Sequence, residues 1–284
     1  MNLKKLLIDL ENVAIKSFDN EQVDSLLAEM LKQIGTNDGE LRDRLIYGTF
    51  CRLLDEKLLS REVTLDVLEK CLSVEGLFYK IGESECVSVF TRSFSSLFVA
   101  AILYDEATNT LLDEEQYSVV LDNILQYMDK EQDIRGYVED CGWAHAIAHG
   151  ADALGCLASH PRATNLDRMR ILGAIKLCLL KGGTYTNNEE SRLARIVITS
   201  LKEGLEEAKV LLWLDELLNE IGRSQPTPYI RITGKAAAYF WHVANAMNFM
   251  KALYFRLKLE GSSFGLRADL FSRIETFGKG HHWL

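Results

Sequence analysis

The chain has 284 residues, enough for one large domain or two small ones with a substantial core, and its 48% hydrophobic and 26% charged residues are ordinary for a soluble globular protein. A formal charge of −9 argues against nucleic acid as the main partner, because gripping phosphate backbones needs clustered Lys and Arg, and here only a local spot at Arg162, Arg168 and Arg170 offers them. Six cysteines without a Cys-x-x-Cys pair exclude a zinc knot and read as reduced thiols of a cytoplasmic protein.

At the N-terminus Lys4 and Lys5 precede Leu6, Leu7 and Ile8, but Asp9 and Glu11 break the run, so no signal-peptide core is expected. The first amphipathic spacing runs through Leu41, Leu45, Ile46, Thr49, Phe50, Leu53 and Leu54, with Asp38 and Gly39 placed to start a helix. Helices are predicted next over 63–72 and 84–104, the latter almost wholly apolar after Ser96, and then through Val120, Leu121, Ile124, Leu125 and Met128. A helix carrying His145 and His149 follows and ends near His160 and Pro161. Another opens at Asn165 or Asp167 and runs to Leu180, where Gly182 and Gly183 stop it. Asn187 with Glu190 three residues on has the spacing of a capping box, predicting a helix to about Leu201. Helices over 205–221 and 233–259 flank a linker at 222–228, which holds two of the chain's three prolines, and residues 261–265 separate off a last helix.

No segment shows the period-two alternation of a strand. The uncharged runs 93–104 and 236–250 are too short for a typical membrane span, so no membrane insertion is expected. The fold class is therefore all-α. Short connections force consecutive helices into antiparallel pairs, and the expected architecture is a single domain, 1–284, built as an irregular α-α superhelix of the armadillo or HEAT kind, with a compact helical bundle as the alternative.

The run Asp133-Ile-Arg-Gly-Tyr-Val138, continued by Gly142-Trp-Ala-His-Ala-Ile-Ala-His-Gly-Ala-Asp152, resembles the signature of a bacterial family known only as domain-of-unknown-function family 2785. Leu41-Arg42-Asp43, Arg92-Ser93-Phe94-Ser95, Glu190-Ser191-Arg192-Leu193 and the stretch from Asn248 to Phe255 echo it further. The resemblance implies an all-helical, armadillo-like protein and brings no activity, cofactor or catalytic residue.

The same central run carries the chemistry. On a helix, His145, His149 and Asp152 share one stripe of a surface that is otherwise small and apolar. Three readings fit this stripe. Two imidazoles one turn apart with a carboxylate beyond suit a divalent metal, with His160 or His242 as further ligands, although Ala146 stands where a metalloprotease helix needs its glutamate base. A buried polar seam, hydrogen-bonded by Arg92, Arg135 or Asp140, would serve packing alone, and the small residues Ala144, Ala146, Ala148, Gly150 and Ala151 would let neighbouring helices approach. A ligand groove would use Trp143 and Tyr137 as aromatic walls over the polar floor, with Asn248 also within its reach.

The favoured reading is a binding or scaffold module with a His/Asp/Trp groove for a protein or small-molecule ligand; the alternative is a metal-dependent hydrolase using His145, His149 and Asp152. Gly261-Ser262-Ser263-Phe264-Gly265 has the letters of a nucleophile elbow but follows a helix instead of a strand, which makes it a helix connector. The aromatics Tyr239, Phe240 and Trp241 read as core, and His281-His282 as a loosely docked tail.

Overall fold

In a computed structural model, described over residues 2–11, 15, 18–105, 111–226, 234–261 and 264–281, the protein is all-α and about 72% helical. Among the described residues the order is α1 (Leu3–Glu11), α2 (Asn20–Lys32), a π-helical stretch Glu40–Tyr47 that runs directly into α3 (Gly48–Asp55), α4 (Arg61–Leu72), α5 (Ser88–Tyr104) and α6 (Glu114–Lys130). A two-stranded hairpin, β1 (Tyr137–Val138) and β2 (Gly142–Trp143), then precedes α7 (Ala146–Ser159), α8 (Asn165–Leu179), α9 (Glu189–Lys202), α10 (Glu207–Arg223), α11 (Gly234–Leu259) and α12 (Phe264–Gly280). Backbone contacts divide the chain into two compact units, Met1–Cys156 and Leu157–Leu284.

Helix starts follow local chemistry. Asp19 with Gln22, Asp113 with Gln116, and Thr164 with Asp167 form reciprocal capping boxes, and Ser60 caps α4 through the Val63 amide. In the first unit α4 packs against α5, whose apolar residues from Phe94 to Leu103 are buried on most sides. In the second unit α9 packs along α11, and α11 along α12. No helix among the described residues is long and apolar enough to cross a membrane.

Four expectations are corrected. The helix predicted from residue 84 starts at Ser88, because Glu85 takes a left-handed conformation (φ 58°) and its amide is drawn to Asp133 Oδ2 at 3.0 Å. Asn187 is not the cap of α9: Asn188 holds that position at φ 66° without a side-chain bond, and the Asn187 amide donates to Glu189 Oε2. The histidine helix begins only at Ala146, leaving His145 outside it at φ 48°. The stretch before it forms a short antiparallel ladder, pairing Tyr137 with Trp143 and Val138 with Gly142. Two helices at the N-terminus, α1 and α2, add to the predicted set. Of the anticipated linker, Gly222 and Arg223 continue α10, while Thr227 and Pro228 lie outside the described residues, as do Ser262, Ser263 and His282.

Arg92 organises the loop between α4 and α5. Its side chain is fully buried and pairs bidentately with Glu131, Nε to Oε2 at 2.6 Å and Nη2 to Oε1 at 2.8 Å, while Nη1 reaches Ser88 Oγ at 3.0 Å. Removing one member of a buried ion pair leaves the other charged, desolvated and unmatched. Arg92→Ala is therefore expected to lower the unfolding free energy by about 3–5 kcal/mol in urea denaturation, with Arg92→Lys recovering only part because it lacks the planar fork.

Candidate functional site

The site is built around a buried arginine that the sequence pattern alone does not single out. Asp38 Oδ1 accepts from the Leu41 amide at 3.0 Å and starts the π-helical stretch, whose inward face carries Leu41, Arg42, Leu45 and Ile46. Arg42 has no exposed surface. Its guanidinium carbon lies 4.0 Å from the Phe90 ring centroid and 4.8 Å from that of Phe94, so two aromatic faces replace part of its lost hydration. Its donors go to main-chain carbonyls: Nη1 to Thr36 at 2.6 Å, and Nη2 to Cys141 at 2.8 Å and Trp143 at 3.3 Å. Asp43 Oδ1 stands 2.9 Å from Nη2. Burial pulls the Arg42 pKa down and the Asp43 charge opposes it; burial likewise lifts the Asp43 carboxyl, against Arg42 and the Trp143 amide.

That grip fixes the hairpin. Ala144 donates to the Gly136 carbonyl at 2.8 Å and His145 to that of Arg135 at 3.1 Å, prolonging the two-residue ladder. Asp140 (φ 61°) and Gly142 (φ 80°) make the left-handed turns between the strands. Glycine at 142 is favoured by that φ, and a Cβ there would also crowd Arg42 Nη2 at 3.2 Å.

The hairpin presents an aromatic corner. Trp143 stacks on His145 with centroids 4.4 Å apart and planes 8° from parallel, and meets Tyr137 edge-to-face at 5.1 Å and 80°. His145 is nearly buried beneath it, yet Trp143 is 40% exposed and Tyr137 54%. Below, His149 is 6% exposed and lies edge-on to Phe94 at 5.2 Å. Its Nδ1 is 2.8 Å from Ser93 Oγ, whose hydroxyl also contacts the Ala144 carbonyl. A serine hydroxyl has one proton; given to Ala144, it leaves the oxygen to accept from His149 Nδ1–H, which assigns that tautomer and puts the ring's acceptor on Nε2. The small residues of α7 permit this packing, for a Cβ at Gly150 would collide with Met128 Sδ and stand 3.1 Å from the Tyr127 ring.

Beside the hairpin lies an open recess of about 550 Å³. Asp38, Glu40, Asp43, Glu139 and Asp140 line it with five carboxylates, and Tyr137 and Trp143 supply its aromatic wall. Lys4 bridges Asp38 and Glu40 at 2.6 and 2.9 Å, Arg44 holds Glu40 at 2.7 Å while also pairing with Glu11, and Arg42 holds Asp43.

The residues expected to form one site are dispersed. Trp143, His145 and His149 are in successive ring contact, with 5.7 Å between the two imidazoles. Asp140 reaches the recess from the hairpin turn. Asp152 is half-buried on α7, where its charge helps raise the Tyr47 phenol, already raised by burial. Arg92 is bound to Glu131, and Arg135 to Asp133 and the Cys86 carbonyl, so neither serves as the histidines' counter-charge; each found a carboxylate on the same loop system. Asn248, in the second unit, donates to Glu190 Oε1 at 3.3 Å. His160 is buried in that unit and its Nδ1 accepts from the Arg162 amide, while His242 is held below the usual imidazole range by burial. No group of three or more His, Cys, Asp or Glu side chains among the described residues is arranged to hold a metal ion. Arg42, Asp43 and Ser93, which complete the assembly, are visible in the sequence only within the short motifs Leu41-Arg42-Asp43 and Arg92-Ser93-Phe94-Ser95.

Fold and site together define an all-helical protein with a hairpin-built surface recess. The chain belongs to the family described as protein of unknown function (DUF2785), whose model matches residues 77–255 and so includes the hairpin and α7, while Arg42 and Asp43 precede the matched stretch. No curated protein and no solved structure matches the chain.

Because His149 is buried and hydrogen-bonded, His149→Ala is expected to cost about 1–3 kcal/mol of stability, measured by chemical denaturation. A change below about 0.5 kcal/mol would show that water, not Ser93, satisfies the ring in the folded protein.

Proposed function

We propose that this protein is a cytoplasmic binding module whose recognition surface is the recess beside the hairpin. The observation that supports this reading is the aromatic corner of Tyr137 and Trp143. Two large rings that could have been covered are left substantially exposed, yet Trp143 is held by its stack on His145 and by the Arg42 bond to its own carbonyl. Rings held in place before a ligand arrives lose little conformational freedom on contact, which is why such residues anchor interfaces and ligand sites. The lining joins this apolar wall to polar groups that would fix a ligand's orientation. The histidines support the corner from beneath instead of lining it, so the favoured groove moves outward from His149 and Asp152 to the hairpin. A metal-dependent hydrolase draws less support, since the imidazoles are engaged in the Trp143 stack and the Ser93 bond. The six free thiols favour the cytoplasm.

The test is a thermal-shift screen of small molecules and short peptides against the wild type and Trp143→Ala. Ligands that stabilise the wild type should lose about 2 kcal/mol of binding, roughly thirtyfold in Kd, in the variant. Ligands that bind both proteins equally would place recognition elsewhere.

A further inference from the structure

Resting on the reading of the recess as the recognition surface, we propose that the group it takes is an organic ammonium cation. Carboxylates alone would be an ordinary solvated acidic face; the aromatic corner beside them is what points to a ligand. The Trp143 and Tyr137 rings meet at 80°, one face of the indole is covered by His145, and both residues stay substantially exposed at the edge of the recess. A ring face carries negative quadrupolar potential, so an ammonium cation, whether a lysine ε-ammonium or an alkylated one, gains contact there that an uncharged group does not, the more so as alkylation weakens its hydration.

The carboxylates then decide the sign of the ligand's charge. Glu139 and Asp140 are exposed on the turn directly between the strands that carry the two rings, and Asp38, Glu40 and Asp43 face them from the start of the π-helical stretch. Lys4 and Arg42 largely offset Asp38, Glu40 and Asp43, and Arg44 is divided between Glu40 and Glu11 outside the recess, so the net negative charge rests on Glu139 and Asp140. A phosphate or carboxylate ligand would meet like charge from the turn, a penalty that selects against anions. A hard divalent ion is equally disfavoured, because it needs several oxygens at about 2.0–2.6 Å and the acidic side chains described here are not gathered into such a set. An ammonium makes neither demand. It requires aromatic contact on one side and diffuse negative potential on the other, and the recess supplies both. The same chemistry describes a free small amine and a lysine side chain presented by a peptide.

The full-length protein is titrated by calorimetry with four probes: choline, its uncharged isostere 3,3-dimethylbutan-1-ol, an acetylated Gly-Lys-Gly amide, and calcium chloride. Trp143→Ala and the exposed double substitution Glu139→Gln with Asp140→Asn are run in parallel, with thermal melts to verify folding. Saturable binding of choline or the lysine peptide is expected, about tenfold or more tighter than the isostere and weakened at least about tenfold by each variant. The stronger of the two probes identifies a free amine or a presented lysine as the source. Equal binding of choline and the isostere would overturn the proposal and leave the recess itself as the recognition surface. The proposal is overturned in the same way if neither cation binds up to roughly 10 mM while other ligands depend on Trp143. Calcium binding that displaces choline and ignores Trp143→Ala would overturn it in favour of a metal ion. If no ligand of any class depends on Trp143, the recess reading falls with it.

Discussion

An arginine with no exposed surface must find partners for its charge within the protein, and Arg42 draws those of its two terminal nitrogens from separate parts of the chain. Thr36 lies just before it in sequence, whereas Cys141 and Trp143 lie about a hundred residues on. Losing such a group's hydration is costly, so a guanidinium inserted between Phe90 and Phe94 is stable only while those carbonyls stay in place. The dependence runs both ways. A two-residue ladder has almost no stability of its own, and the hairpin keeps its shape because its turn and its second strand are hydrogen-bonded to a fixed cation. The exposed indole, the acidic turn and the recess between them follow from that one constraint.

A second arginine repeats the device. Arg92 collects the carbonyls of Tyr79, Lys80 and Glu83 and closes on Glu131; Asp133, two residues beyond, receives the Arg135 side chain and the Glu85 amide. Irregular backbone that would leave buried carbonyls without donors is thereby made acceptable inside a helical protein. Alongside Arg92 on α5, Ser93 joins the loop carbonyl of Ala144 to His149. One helix thus fixes both the approach to the hairpin and the first turn of α7.

Much of the fold is legible in the sequence because helices are local. The 3.6-residue spacing, the capping residues and the scarcity of proline place most helices to within a few residues of their observed ends, although α8 closes on Leu180 and not on a left-handed glycine at 182. The departures fall where long-range contacts override local preference. His-Ala-Ile-Ala-His is a plausible helix, yet His145 is held outside it by the bond from its amide to the Arg135 carbonyl and by the stack under Trp143. A two-residue strand is too short to show alternation, so the hairpin leaves no periodic trace. The candidate site is half legible. Trp143, His145 and His149 do form a connected stack, but Arg92 and Arg135 find nearer carboxylates, and Arg42 cannot be recognised as an organiser without knowing that residues 141 and 143 return to it. The central run is conspicuous in sequence for its histidines; in three dimensions the hairpin beside them carries the exposed surface.

The recess exists only if Arg42 holds the hairpin, and amide hydrogen exchange of Arg42→Met tests that dependence most directly. Methionine keeps the bulk of the side chain and removes the donors to Cys141 and Trp143. The Ala144 and His145 amides, which close the ladder, should lose most of their protection while amides in the middle of α6 keep theirs. Unchanged protection at Ala144 and His145 would contradict this, because the hairpin would then stand without the arginine.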